Sequence, residues 1–419
     1  MGKIPSLQTL SHLALVAGLC LLTVPLPAAA QSGIQSGTVI NVTTQQDELN
    51  NDGDCSLREA VRAANLNIVV DACPAGTGAD SIALEPGIYN LTLTGSGEDD
   101  GATGDLDIFD DVIIVGASLT STILDGQASD RIFQVITDVN AKFFNLTIRN
   151  GYAPAGSLYG GAGILNGSPG ELPGSIQIIN CLFSQNQAEN TGGGIDNAGT
   201  ASLLDVTFSN NQAAFGGGIY NAGTLVVDSV LFMQNTASIT SGGIDNHSGM
   251  TISDSTFSAN TGGQGGGLFN DGTITMLNTT LSSNNTAMVN NGIIRSKNTI
   301  ITGSTVGDNC AGGGTFTSLG HNLENTDTCG LHGVGDLVNT DPLLGPLQNN
   351  QGPTLTHALL TGSPAIDSGD NTDCPLQDQR GAYRPADGDD DTLKVCDIGA
   401  YEFAGVFPFF TFLPTVSRH

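Results

Sequence analysis

Asp196 and Asp245 occupy the same place in two copies of one short motif, Gly194-Ile195-Asp196-Asn197 and Gly243-Ile244-Asp245-Asn246. If the copies stack as coils, two strand spacings separate the carboxylates by about 9.6 Å, near the upper limit for an inverting glycosidase pair. Tyr220 and Phe269 hold that position in the alternate copies, a pattern that equally suits a variable outward face. Asp205, Asp228 and Asp254 form a second acidic series, but Asn180 and Asn278 share its register, which reads as a ladder of turn residues. A lyase acting on uronic acids needs Lys or Arg as base and as partner for the substrate carboxylate. None occurs between Arg149 and Arg295, which leaves Arg295 and Lys297 at the end of the repeats. Hard oxygen donors gather at Asp387, Asp389 and Asp391, and again at Glu98-Asp99-Asp100 with Asp105 and Asp107. Calcium is the cation such Gly-containing acidic loops suit, although neither keeps the spacing of an EF-hand.

The composition narrows these chemistries. The 419 residues carry 41 acidic and 12 basic side chains, a formal charge of -29 that excludes a nucleic-acid binder, because counterion release needs clustered Lys and Arg. Hydrophobic residues at 39% and charged residues at 13% describe a folded chain whose polar surface comes from Asn, Ser, Thr and Gly, and not an acidic disordered tail.

The elements that must position the candidates are repeats. Gly192-Gly193-Gly194-Ile195 returns as Gly216-Gly217-Gly218-Ile219, Gly242-Gly243-Ile244 and Gly265-Gly266-Gly267-Leu268, with the apolar residues 24, 25 and 24 apart. Asp205 to Phe208, Asp254 to Phe257 and Asn278 to Leu281 repeat in step, and Asn145 to Ile148, Asn180 to Phe183, Asp228 to Leu231 and Asn298 to Ile301 keep the same offset of three. Each copy holds short strands separated by Gly or Asn, too short to stand alone. Coil-on-coil stacking would pair their backbones and align like residues into ladders. The expected fold is therefore all-β, a parallel β-helix, over 80–320. Cys181, inside one such strand, reads as a small buried apolar residue.

The paired signals Gly217-Gly218-Ile219 and Phe257-Ser258-Ala259-Asn260 resemble the repeats of polymorphic outer-membrane proteins and other right-handed β-helix proteins of the pectate-lyase superfamily. That resemblance implies a right-handed helix, and relatives of the fold that cleave acidic polysaccharides.

A solenoid needs covered ends. Over 31–79, Ser56 and Glu59 form a capping-box pattern ahead of Leu57, Ala60, Val61 and Ala64 on one helical face, a short N-terminal capping helix. A local ion pair is expected between Arg58 and Glu59. Cys55-Ser56-Leu57-Arg58-Glu59-Ala60 is identical to the signature of the CSLREA domain family. Residues 321–403, rich in Pro and Gly, resemble the choice-of-anchor Q domain of exported bacterial proteins and form an irregular C-terminal cap. The apolar tail over 404–419 is read as a sorting signal or a last strand.

Residues 1–30 read as a secretory signal: Lys3, an apolar run from Leu13 to Val24, and Ala28-Ala29-Ala30 as the cleavage site. The run is too short to span a bilayer, so the mature chain is expected not to be an integral membrane protein. Export permits disulfides. Pairing of neighbours suggests Cys55 with Cys73, Cys310 with Cys329 and Cys374 with Cys396, leaving Cys181 alone, although spacing does not prove connectivity. These readings lead to a secreted or surface-held β-helix that serves as a structural or binding module, with a polysaccharide or another cell-surface component as partner. The competing expectation is a carbohydrate-active hydrolase or lyase.

Overall fold

The computed structural model describes residues 36–408 except 96, 98–99, 137, 156–158 and 168–173. The expected leader, Glu98, Asp99 and the tail from residue 409 lie outside the described residues.

Most coils in the repeat region are built alike. From Thr200–Leu204 the chain turns into Thr207–Ser209, then Gln212–Ala213, then Ile219–Asn221, and Thr224–Asp228 returns in parallel register beside the first strand. Among the described residues such strands line up into four parallel sheets of 11, 10, 9 and 5 strands. Successive strands of a sheet are joined by a full turn of chain, and crossovers of that kind are right-handed. The fold is the expected right-handed parallel β-helix.

Alternate residues of each strand point inward and are buried, as Ala201 and Leu203, Leu225 and Val227, and Ile274 and Met276 show. Phe183, Phe208, Phe232 and Phe257 stack face to face down the core with ring centroids 4.9, 4.9 and 4.7 Å apart. The recurring glycines are required by this stack: a Cβ at Gly218 would meet Gly243 O at 2.7 Å and the Phe232 ring at 3.0 Å.

The corner between the 11- and 10-stranded sheets is a single left-handed residue, contributed by Asn145, Asn180, Asp205, Ser229, Asp254, Asn278 and Asn298 with φ between 43° and 59°. Asn and Asp tolerate this conformation better than other side chains. The corner residue of its coil is Ser229, so Asp228 does not share the Asp205 and Asp254 register. It lies one place earlier, beside Leu204 and Ser253. At the other corners asparagine side chains bond along the stack. Asn186, Asn211, Asn235, Asn260 and Asn284 form one buried ladder with Nδ2 to Oδ1 distances of 2.9 to 3.0 Å. Asn166, Asn197, Asn221, Asn246, Asn270 and Asn290 form a second at 2.7 to 2.8 Å.

Helix α1 (Leu57–Leu66) covers the first coil, started by the Ser56–Glu59 capping box that its sequence announced. Arg58 does not pair with Glu59. Its fully buried guanidinium meets Asp47 at 2.7 Å and donates to the carbonyls of Gly101, Gly104 and Asp105. Glu59 is instead occupied by the backbone N–H groups of Asn50 and Ser56.

At the far end, Cys329 and Leu331 join the main core, and the Cys310–Cys329 bond ties the closing loop. The irregular segment that follows, stapled by Cys374–Cys396, lies along the outer wall of the 10-stranded sheet. Thr256 Oγ1 donates to Gln379 Oε1 at 2.5 Å, Ser258 Oγ meets His357 Nε2 at 3.0 Å, and Ala400 N donates to Thr280 Oγ1 at 3.0 Å.

Candidate functional site

The ladder that carries Asp196 and Asp245 is in the expected register: Leu165, Asp196, Tyr220, Asp245, Phe269 and Val289 follow one another on the outer face of the 9-stranded sheet. The face is not open at the two carboxylates. Asp196 is 4% and Asp245 0% exposed, because the loops entering the sheet fold over them. Thr191 Oγ1 and Gly160 N donate to Asp196 Oδ2 at 2.6 and 3.1 Å, and Thr240 Oγ1 donates to Asp245 Oδ2 at 2.5 Å. Burial raises the pKa of Asp196. Roofed in this way, the pair has no room for the water and sugar ring that an inverting mechanism places between its carboxylates.

What the ladder positions instead is His247, two residues beyond Asp245. Its Nε2 lies 2.8 Å from Asp245 Oδ1 and its Nδ1 3.5 Å from Asp271 Oδ2. The hydrogen bond to Asp245 is the main cause of a raised imidazole pKa; burial opposes it, and the charges of Asp245 and Asp271 add to it. The ring leans on Tyr220 with centroids 5.1 Å apart and on Phe269 at 6.2 Å. These three rings, with Phe215, Ile239, Asn190, Gln264 and Asp271, line a groove of about 420 Å³. Ile239 remains 45% exposed at its edge. With both imidazole nitrogens facing carboxylates, the ring of His247 is oriented and its protonated form is favoured.

A second cleft, of about 770 Å³, runs between the solenoid corner and the C-terminal segment, lined by Asp205, Asp228, Leu376, Arg380 and Phe407 among others. Burial first, and then the neighbouring Asp228, push the Asp205 carboxyl up to about 6. Burial also raises Asp228. Arg380 is committed elsewhere: it donates to Asp378 Oδ2 from Nε and Nη2 at 2.8 and 2.7 Å and lies over the Tyr401 ring at 3.6 Å. Asp254, fully buried, faces Arg384 at 3.4 Å.

The acidic loops sort differently from their sequence pattern. Asp387 and Asp389 come together with Asp367, their oxygens within 4.8 Å of one another. Asp391 stands apart from that group and accepts from Leu393 N. Asp105 pairs with Arg131 at 3.2 Å, and Asp107 accepts from Gly101 N at 2.9 Å, so these members of the upstream loop serve its own conformation. A further set, Glu48, Asp52 and Asp54, adjoins Asp54, Glu59 and Asp71 at the start of α1. Lys297 is buried and clamps the C-terminal segment through Asp370 at 2.9 Å and Asp373 at 3.7 Å, so it is not available as a catalytic base, while Arg295 is exposed. The three disulfides follow the neighbour pairing, and Cys181 is buried and unpaired, its thiol pushed up to about 12 by burial.

His247 and Asp271 are missed by residue patterns. A signal for His247 was present: it is the one histidine between residues 80 and 320, two places after a ladder aspartate and so on the same side of an extended chain.

No family model matches the chain, and no curated protein matches it. Among solved structures it is similar to a crystal structure of pectate lyase Pel9A, with 15% sequence identity, 87% of this chain and 96% of that chain covered, and a TM-score of 0.42.

Proposed function

We propose that the protein is an exported β-helix, secreted or held at the cell surface, that binds a carbohydrate through the groove of Tyr220, His247 and Phe269. The observation that carries this reading is the groove itself: the exposed His247 ring and the half-buried rings of Tyr220 and Phe215 over the buried Phe269, on a rigid wall edged by the amides of Asn190 and Gln264. Ring faces stack on the apolar faces of sugars while amides bond their hydroxyls. Three disulfides support an oxidising compartment. Among the described residues no helix is long and apolar enough to cross a membrane. The leader-like residues 1–30 and the likeness of the two ends to CSLREA and choice-of-anchor Q domains accord with export and surface attachment. A glycan array probed with the disulfide-intact protein tests the reading. Binding to a carbohydrate that Tyr220→Ala removes is the expected result, and binding untouched by Tyr220→Ala rules the groove out.

One observation favours a second reading, a hydrolase working in the larger cleft. Burial raises both Asp205 and Asp228 there, but only Asp228 has hydrogen bonds from Ser253 and Ser229 acting against it, and a carboxyl held up to about 6 beside a second acidic group suits a general acid. Release of reducing ends from acidic or neutral polysaccharides, lost in both Asp205→Asn and Asp228→Asn, would establish it. Calcium remains part of the proposal at Asp367, Asp387 and Asp389.

A further inference from the structure

The rings of the His247 groove stand in an unusually one-signed setting. Tyr220 stands between Asp196 and Asp245 in the ladder, and burial first, then the charges of Asp245, Asp196 and Asp271, raise the pKa of its phenol. Asp245 forms the buried floor under His247, and Asp271 sits on the rim with 40% of its side chain exposed. No Lys or Arg occurs between Arg149 and Arg295, so none of these coils supplies a guanidinium or ammonium to balance them. Arg131 acts on Asp196 from an earlier coil, where it is already paired with Asp105. His247 alone, among the groove's lining residues, can carry positive charge, and its single charge neutralises at most one of the two carboxylates it faces.

An aromatic groove with surplus negative charge is complementary to an organic cation. Such a ligand gains from the ring faces by cation–π attraction and from the Asp271 carboxylate by charge, whereas a uronate would meet repulsion. Building on the carbohydrate-binding reading, we propose that the groove selects amino sugars whose amine is free and protonated, with the ammonium placed between the Tyr220 face and Asp271.

The experiment compares two ligands that share a backbone: a tetramer of glucosamine and the same tetramer N-acetylated throughout. Each is titrated calorimetrically against the wild type, Asp271→Asn and Tyr220→Ala, below the amine pKa, with folding of the variants checked by circular dichroism. The glucosamine tetramer is expected to bind roughly tenfold more tightly, about the worth of one cation–π contact and one partly screened ion pair. Asp271→Asn should close about half of that gap without weakening the acetylated ligand, and Tyr220→Ala should weaken both. Equal binding of the two ligands, or a gap that Asp271→Asn leaves intact, overturns selection for the amine while the carbohydrate reading stands. Failure of both tetramers to bind, while another sugar binds in a Tyr220-dependent way, also overturns it. A groove that binds no sugar at all overturns both readings.

Discussion

His247 Nε2 lies 2.8 Å from Oδ1 of Asp245, a carboxylate with no exposed side-chain surface. A buried anion of this kind holds the imidazole in one orientation and favours its charged form.

In NMR titration the His247 ring should therefore lose its proton above the ordinary value of about 6.5 for histidine. Asp245→Asn should bring the midpoint down, and Asp271→Asn should do so by less, because the Asp245 contact is the larger cause. For stability the sign follows from the raised pKa. The contribution is complete below the unfolded value and is lost as pH rises through the folded one. A His247 midpoint unmoved by Asp245→Asn would show that the contact does not hold the proton.

Asp205 offers the converse case. With its carboxyl held up to about 6, the folded state favours the protonated form, so ionising it costs stability. That cost should appear between its ordinary range near ~4 and about 6, where stability falls with rising pH. Comparing wild type with Asp205→Asn isolates it: the variant should lack that part of the pH dependence. Identical profiles would contradict the burial described for the carboxyl.

The inner asparagine ladder is a stability device. Asn235 Nδ2 donates to Phe208 O and to Asn260 Oδ1, and its Oδ1 accepts from Asn211 N and Nδ2. Asn235→Ala orphans buried groups on both neighbouring coils, a loss of about 2–4 kcal/mol at ~1–3 kcal/mol per unsatisfied group after partial relaxation. Denaturant melts of the pair measure it, and a change under ~0.5 kcal/mol would mean water replaces the ladder.

For the C-terminal acidic group, calcium should raise the melting temperature of the wild type and do less for Asp367→Asn and Asp389→Asn. Asp391→Asn, outside the group, should respond as the wild type does. Two of these oxygens, Asp367 Oδ1 and Asp387 Oδ1, are buried without a hydrogen-bond partner, which is the reason to look there. A wild-type melting temperature indifferent to calcium and to chelator would remove the site.

The fold was legible because stacking copies residues: Phe208 and Phe257 are alike because each touches Phe232 in the coil between them, and Asn197 and Asn246 because each touches Asn221. The cysteine pairs were legible for a different reason, since each joins near neighbours, 18, 19 and 22 residues apart. Asp228 was placed one residue out of phase because an acidic residue precedes Ser229, the true corner, and only the Phe232 column reveals the shift. The burial of Asp196 and Asp245 could not be read from their ladder, because the roof comes from Thr191 and Thr240 in loops of variable sequence. Nor did any periodicity announce that Thr256 meets Gln379, a contact spanning 123 residues.

That last contact bears on the order of assembly. A solenoid can grow coil by coil, each new turn needing only the one before it. The wall over the coils around Thr256 and Thr280 obeys another rule, since the residues that cover it, Gln379 and Ala400, are made more than a hundred positions later. Until they arrive, that flank of the stack stays bare, and the Asp205–Asp228 cleft has one side only. Completion of the chain is thus the step that creates the larger cleft, whereas the His247 groove, made within consecutive coils, exists as soon as those coils have stacked.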